Sequence, residues 1–148
     1  MTRRLVTLLA LLGGMAAMSA HALEFRSVKE TGVALYEAPS LTAKKLFAVS
    51  RYYPVEVLSS QKEWSRVRDA TGGISWIPAA ALSSQRWVLV TAEQTQVRDS
   101  ASADGKPLFS MARDGVLQLV EAPKEGWAKV KHRDGTAGYA RITDLWGL

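Results

Sequence analysis

The chain has no cysteine. That removes thiol nucleophiles, thiolate metal sites and disulfide redox chemistry together. An exported protein without disulfides fits a bacterial periplasm better than a disulfide-dependent extracellular setting. Histidine is scarce as well, with only His21 and His132. A lone histidine at a turn has neither a second His nor a Cys to work with. No window sustains a 3.6-residue apolar period with caps, so a helical core is not expected. The glycines are scattered through turns and form no phosphate-binding loop ahead of a helix. The acid pairs Glu121/Glu125 and Asp99/Asp104 have loop spacing, with no apolar pocket to set one against the other. Catalysis, a metal site and a cofactor are therefore not expected.

A surplus of one charge is also small. The sequence has 19 Lys and Arg against 14 Asp and Glu. Two of the cations, Arg3 and Arg4, precede the apolar run "LVTLLALLGGMAAM", and "AHA" at Ala20 to Ala22 is an A-x-A cleavage site. Together these read as a secretory signal peptide over residues 1–22, removed on export. Without it, 17 basic residues face 14 acidic ones, a net +3. The signs are interspersed, which describes a solvated surface and not a nucleic-acid face. Once the signal is removed, no stable membrane insertion is expected, and the chain is expected to act as a periplasmic monomer.

What the sequence does contain is a repeat. "ALYEAPSLTAKKLF" (residues 34–47) overlies "QVRDSASADGKPLF" (residues 96–109) at an offset of 62. Leu35 meets Val97, Glu37 meets Asp99 and Phe47 meets Phe109. The extra residue Gly126 shifts the offset to 63. From there Trp64 meets Trp127, Val67 meets Val130, Gly72 meets Gly135, Trp76 meets Tyr139 and Leu82 meets Leu145. The expected domains are 23–83 and 86–148, joined by a very short connection.

Each unit reads as short strands between turns. "VEVL" and "GVLQLVEA" are aliphatic runs, while "WSRVR" and "WAKVKH" alternate. Asp134-Gly135 signals a tight hairpin, because such turns need positive φ. Pro39, Pro54, Pro107 and Pro123 are expected in loops or at strand starts. "PAAAL" and "RITDL" each fit one 3₁₀ turn. The fold class is all-β: two small units of five to seven strands, each closing into a barrel that hides its sheet edges.

Alternation then assigns faces. In "WSRVR", Trp64, Arg66 and Arg68 share one side and Ser65 and Val67 the other. In "WAKVK", Trp127, Lys129 and Lys131 share one side and Ala128 and Val130 the other. Unpaired buried charge is costly, so the cationic side faces solvent and the valines face the core. An indole on that outer side is free to stack on a ligand. The same arrangement also arises when a cation–π pair covers a barrel end. Trp76 and Tyr139 are expected to pack over the hairpin, Trp87 to wedge between the units, and Trp146 to close the C-terminus.

"WSRVRDATGGISWIP" and "WAKVKHRDGTAGYAR" resemble the Trp-x-x-Val…Gly…aromatic signature of bacterial SH3 (SH3b) domains. "ALYEA" and "WIPAAAL" resemble the ALYDY and YIPSNYV motifs of eukaryotic SH3 domains. "QVRDSAS" resembles the N-V-R-x-x-P-S opening of SH3b repeats, with Gln96 for Asn and Ala101 for Pro. The resemblance covers nearly all of residues 23–145 as two copies. It implies tandem SH3-like barrels and an exported binding module, of a kind often associated with peptidoglycan or its peptide stems. The proline-helix groove of eukaryotic SH3 domains maps onto Tyr36, Trp64 and Pro78, but Ala38 and Ala81 replace two of its tyrosines. In the second copy Arg98 replaces Tyr36, and Ala140-Arg141 replaces Ile77-Pro78. PxxP binding is therefore not expected.

The candidate ligand-binding residues are Tyr36, Trp64, Arg66, Arg68, Trp76, Pro78, Trp127, Lys129, Lys131 and Tyr139. Two partners are consistent with them: peptidoglycan, or another envelope protein for which the tandem barrels serve as adaptor.

Overall fold

The computed structural model describes residues 23–148. The signal-peptide expectation falls on residues 1–22, outside the described residues. Among the described residues the strands form two separate antiparallel sheets. The first contains β1 (Phe25–Val28), β2 (Val33–Tyr36), β3 (Lys45–Val49), β4 (Pro54–Ser60), β5 (Trp64–Arg68), β6 (Ile74–Pro78) and β7 (Leu82–Ser83). The second contains β8 (Trp87–Val90), β9 (Gln94–Arg98), β10 (Pro107–Ala112), β11 (Val116–Lys124), β12 (Trp127–Lys131), β13 (Ala137–Arg141) and β14 (Leu145–Trp146). Their ladder orders match: β3-β2-β6-β5-β4-β1-β7 and β10-β9-β13-β12-β11-β8-β14. In both, the last short strand returns to pair with the first and extends the ladder, which runs from β3 to β7 in the first sheet and from β10 to β14 in the second.

Each sheet encloses its own core. Val28, Leu35, Val55, Val67 and Ile77 fill the first, and Val88, Val97, Leu117, Val130 and Ala140 fill the second. Val67 and Val130 point inward, as strand alternation predicts. The 3₁₀ turns form at Ala79–Ala81 and Ile142–Asp144.

The hairpins depart from the simplest expectation. At the second, His132 and Thr136 close the loop, and only Gly135 takes a positive φ, of 96°. Gly72, with φ 89°, occupies the equivalent place in a loop closed by Asp69 and Gly73. Each turn therefore needs one left-handed residue, which is why a Gly recurs there. Asp69, which is 2% exposed, accepts hydrogen bonds from the Thr71 and Gly73 N–H groups and the Thr71 hydroxyl. His132 replaces it in the second copy, and its Nδ1 accepts the Asp134 N–H. Pro123 also departs from expectation, because it lies inside β11. The β11–β12 register shifts between Glu121 and Lys124, so the missing N–H falls where the ladder is already interrupted.

Ser75 occupies the position of Gly138 and is 3% exposed, with no partner for its hydroxyl. A buried unpaired hydroxyl costs free energy, so Ser75→Ala should leave stability unchanged or raise it by up to about 1 kcal/mol. Urea denaturation measures this, and a loss of more than about 1 kcal/mol would reveal a bond that the hydroxyl makes.

The two units touch through aromatic rings. Trp87 stacks on Tyr52 of the first unit, with centroids 3.8 Å apart and planes 15° from parallel. Phe25, which matches Trp87 at the repeat offset, meets Trp146 edge-on at 5.2 Å. Trp146 thus joins the junction as well as the C-terminus. Arg86 bridges the same place: it donates to the Gly147 carbonyl at 2.8 Å and lies 5.5 Å over the Phe25 ring. Burial lowers its pKa from the usual guanidinium value. Tyr52 holds a φ of 72°, which is strained for an aromatic residue. Asp114, its counterpart at the repeat offset, has φ 69°. The turn itself therefore imposes the conformation, and the stacked indole helps Tyr52 tolerate it.

Candidate ligand-binding site

Strand β5 brings Trp64 to the outer face, half-buried between β4 and β6. It pairs in register with Pro78, and Arg66 pairs with Trp76. Tyr36 meets the Trp64 indole edge-on at 5.2 Å. Beside the indole opens a cleft of about 390 Å³, lined by Leu41, Lys62, Glu63, Trp64, Pro78 and the Ala79–Ala80 turn. Leu41 is 72% exposed, an apolar side chain left in water at the mouth. The surface is concave and aromatic, with one cation and one anion at its rim. Such a site can stack a sugar face or a flat peptide segment and hold it by a few polar contacts.

The second unit builds the equivalent site differently. Trp127 pairs in register with Arg141, where the first unit has Pro78. The Arg141 guanidinium lies 4.9 Å over the Trp127 ring. Lys129 reaches Glu121 at 3.2 Å, and that bond raises its pKa. Tyr139 and Trp127 share a cleft of about 340 Å³ whose other lining includes Glu121, Lys124 and Glu125. The indole that could stack on a ligand here is already covered by a cation.

Two family models, both described as bacterial SH3 domain, match residues 31–83 and 91–147. The chain belongs to the bacterial SH3 family. A search of curated proteins returns no match. Solved structures similar to it include NlpC2 from Trichomonas vaginalis, at 14% identity and TM-score 0.39, over 84% of this chain and 48% of that one. NlpC1 from the same organism gives 16% and 0.39, over 88% and 48%. An NlpC/P60 family protein from Bacillus cereus gives 14% and 0.39, over 83% and 56%. The chain spans about half the length of these proteins.

Within this tandem bacterial SH3 protein the expected site residues divide into distinct groups. Trp64 and Pro78 line one open cleft in the first unit. Tyr36 is 7% exposed and supports the indole instead of offering a surface of its own. Arg68, expected among the ligand cations, is instead committed to Glu56 by a 2.8 Å ion pair. Glu56 is 8% exposed, so this buried carboxylate requires its partner. Arg66 and Lys131 remain exposed, and among the described residues neither has an ion pair. Trp76 and Tyr139 lie half-buried, facing Tyr36 and Arg98 across the sheet.

Strand alternation did not reveal Leu41, Lys62 or Arg141. Leu41 and Lys62 are loop residues, for which alternation assigns no face. Arg141 was visible only as the residue replacing Pro78, and that replacement was the available signal. Asp99 accepts the Lys106 N–H, and Glu121 holds Lys129. His132 lies against Phe109 at 5.6 Å. Among the described residues no group of three or more His, Asp or Glu could hold a metal ion. Nor is any helix long and apolar enough to cross a membrane.

Proposed function

We propose that this protein is a non-catalytic, exported binding module of the bacterial envelope that holds peptidoglycan or its peptide stems. The observation that supports this is the Trp64 cleft: an indole propped by Tyr36, flanked by Pro78 and the exposed Leu41, with Lys62 and Arg66 nearby. An aromatic floor suits a sugar ring or a peptide plane, and the cations suit the carboxylates of a wall peptide. The first unit is the reader in this scheme. The second, with Arg141 over its indole, acts mainly as a buttress.

Purified sacculi test the proposal. The wild-type protein should sediment with them, and Trp64→Ala should reduce the bound fraction by about tenfold, the range expected on losing one aromatic stacking platform. Trp127→Ala should change it far less. Equal retention of wild type and Trp64→Ala, or no retention of either, rejects the reading. Release of soluble fragments from the sacculi would contradict the non-catalytic part.

The aromatic junction between the units favours a second reading, an adaptor for another envelope protein. Tyr52, Trp87, Phe25 and Trp146 bring the units together, so a partner could read both at once. Crosslinking in cells that yields one reproducible protein partner, with no retention on sacculi, would select it.

A further inference from the structure

A second cleft lies at the junction of the two units, separate from the Trp64 cleft. It encloses about 480 Å³, and both units line it. Phe47, Arg51 and Tyr53 come from the first unit; Asp114, Val116 and Arg133 come from the second. Arg51 and Arg133 are exposed, and neither has an ion pair among the described residues. Arg51 and Arg133 thus line one depression from different units, the Arg51 guanidinium 4.8 Å from the Tyr52 ring, and a single carboxylate, Asp114, lines it with them.

Phe47 adds an independent sign. Its counterpart Phe109 is partly buried and packs against His132. In the first unit the buried Asp69 replaces that histidine, and Phe47 stands 47% exposed on the cleft wall. It therefore offers apolar surface that nothing in its own unit covers. Tyr53 adds a donor. Its oxygen accepts the Ala70 N–H at 3.1 Å, which leaves its own O–H free to donate. Burial and the carboxylates of Asp69 and Asp114 raise its pKa, so it stays protonated at neutral pH.

We infer that this inter-unit cleft binds the carboxylate end of a peptide whose last side chain is apolar. Arg51 and Arg133 hold the terminal carboxylate, since guanidiniums match its planar pair of oxygens. Asp114 accepts the last amide N–H, which a chain end presents close to its carboxylate. Phe47 and Val116 cover the side chain. A free inorganic anion would satisfy the arginines but leave Asp114 opposed and the apolar wall bare. This inference does not depend on the Trp64 reading.

The test uses the purified protein and three probes: N-acetyl-leucyl-leucine with a free carboxylate, its C-terminal amide, and the all-D form of the acid. NMR titration should move the Gly115 and Val116 amides with either acid. The L form marks a protein chain end as the source, and the D form a stem peptide. The amide should bind on the order of tenfold more weakly, and Arg51→Gln and Arg133→Gln should each cost a similar factor, the scale of one charge-assisted contact. Trp64→Ala should bind the acid as wild type does. Three results overturn the inference: acid and amide binding alike, no response to either acid, or loss of binding in Trp64→Ala with both arginine variants unaffected. None of these bears on retention by sacculi.

Discussion

Trp87→Ala should split one thermal transition into two. Trp87 is 6% exposed and forms the stacked half of the junction with Tyr52. Removing a buried Trp side chain costs about 3–5 kcal/mol. Part of this is returned, because the indole N–H is buried without a partner, and an unsatisfied donor itself costs about 1–3 kcal/mol. A net loss of about 2–3 kcal/mol follows, carried by the second unit and by its coupling to the first. Scanning calorimetry on wild type should give one cooperative transition, since the junction ties the units' stabilities together. In Trp87→Ala the second unit should melt first. Trp87→Phe keeps a ring against Tyr52 and drops the unpaired N–H, so it should stay close to wild type. A single unshifted transition in Trp87→Ala would mean that the junction contributes nothing.

Gly138→Ala should be the most damaging single-methyl change. A Cβ at that position would lie 2.5 Å from the Arg98 carbonyl oxygen and 2.7 Å from Val97 Cγ1. The first of these is backbone and cannot rotate away. Strand β13 would have to retreat from β9, where Tyr139 pairs with Arg98. Overpacking of this kind costs about 3 kcal/mol. For a unit of roughly 60 residues that lowers the melting temperature by more than about 10 °C. The change should fall on the second unit alone, whereas Ser75→Ala at the matching position in the first is harmless. Chemical denaturation that shows less than about 1 kcal/mol of loss would mean that β13 can shift freely.

These two residues illustrate what the sequence allowed and what it did not. The repeat, the inward valines, the outward indoles and the closing 3₁₀ turns all follow from periodicity and offset. Trp87 was legible as a wedge because it is a large ring beside a very short connection. Its partner Tyr52 was not, because a tyrosine in the left-handed region contradicts local preference. Only the turn geometry shared with Asp114 explains it. The Phe25–Trp146 contact was hidden for a different reason: it depends on how two separate sheets meet, and no strand pattern encodes that. The site was legible in part. Alternation placed Arg68 with Trp64, but the demand of the buried Glu56 on a neighbouring strand took Arg68 out of play. Both residues could be read individually, yet their pairing required the β4–β5 register.

Arg141 over Trp127 carries a consequence for valency. Duplicated binding domains commonly gain avidity, because the second engagement is intramolecular. Here the Trp127 ring already carries its own guanidinium and the Trp64 ring lines a cleft beside Pro78, so the two units offer a polymer unequal platforms. Firm attachment to a repeating ligand would then come from many molecules along it, with occupancy rising in proportion to concentration instead of in steep, paired steps.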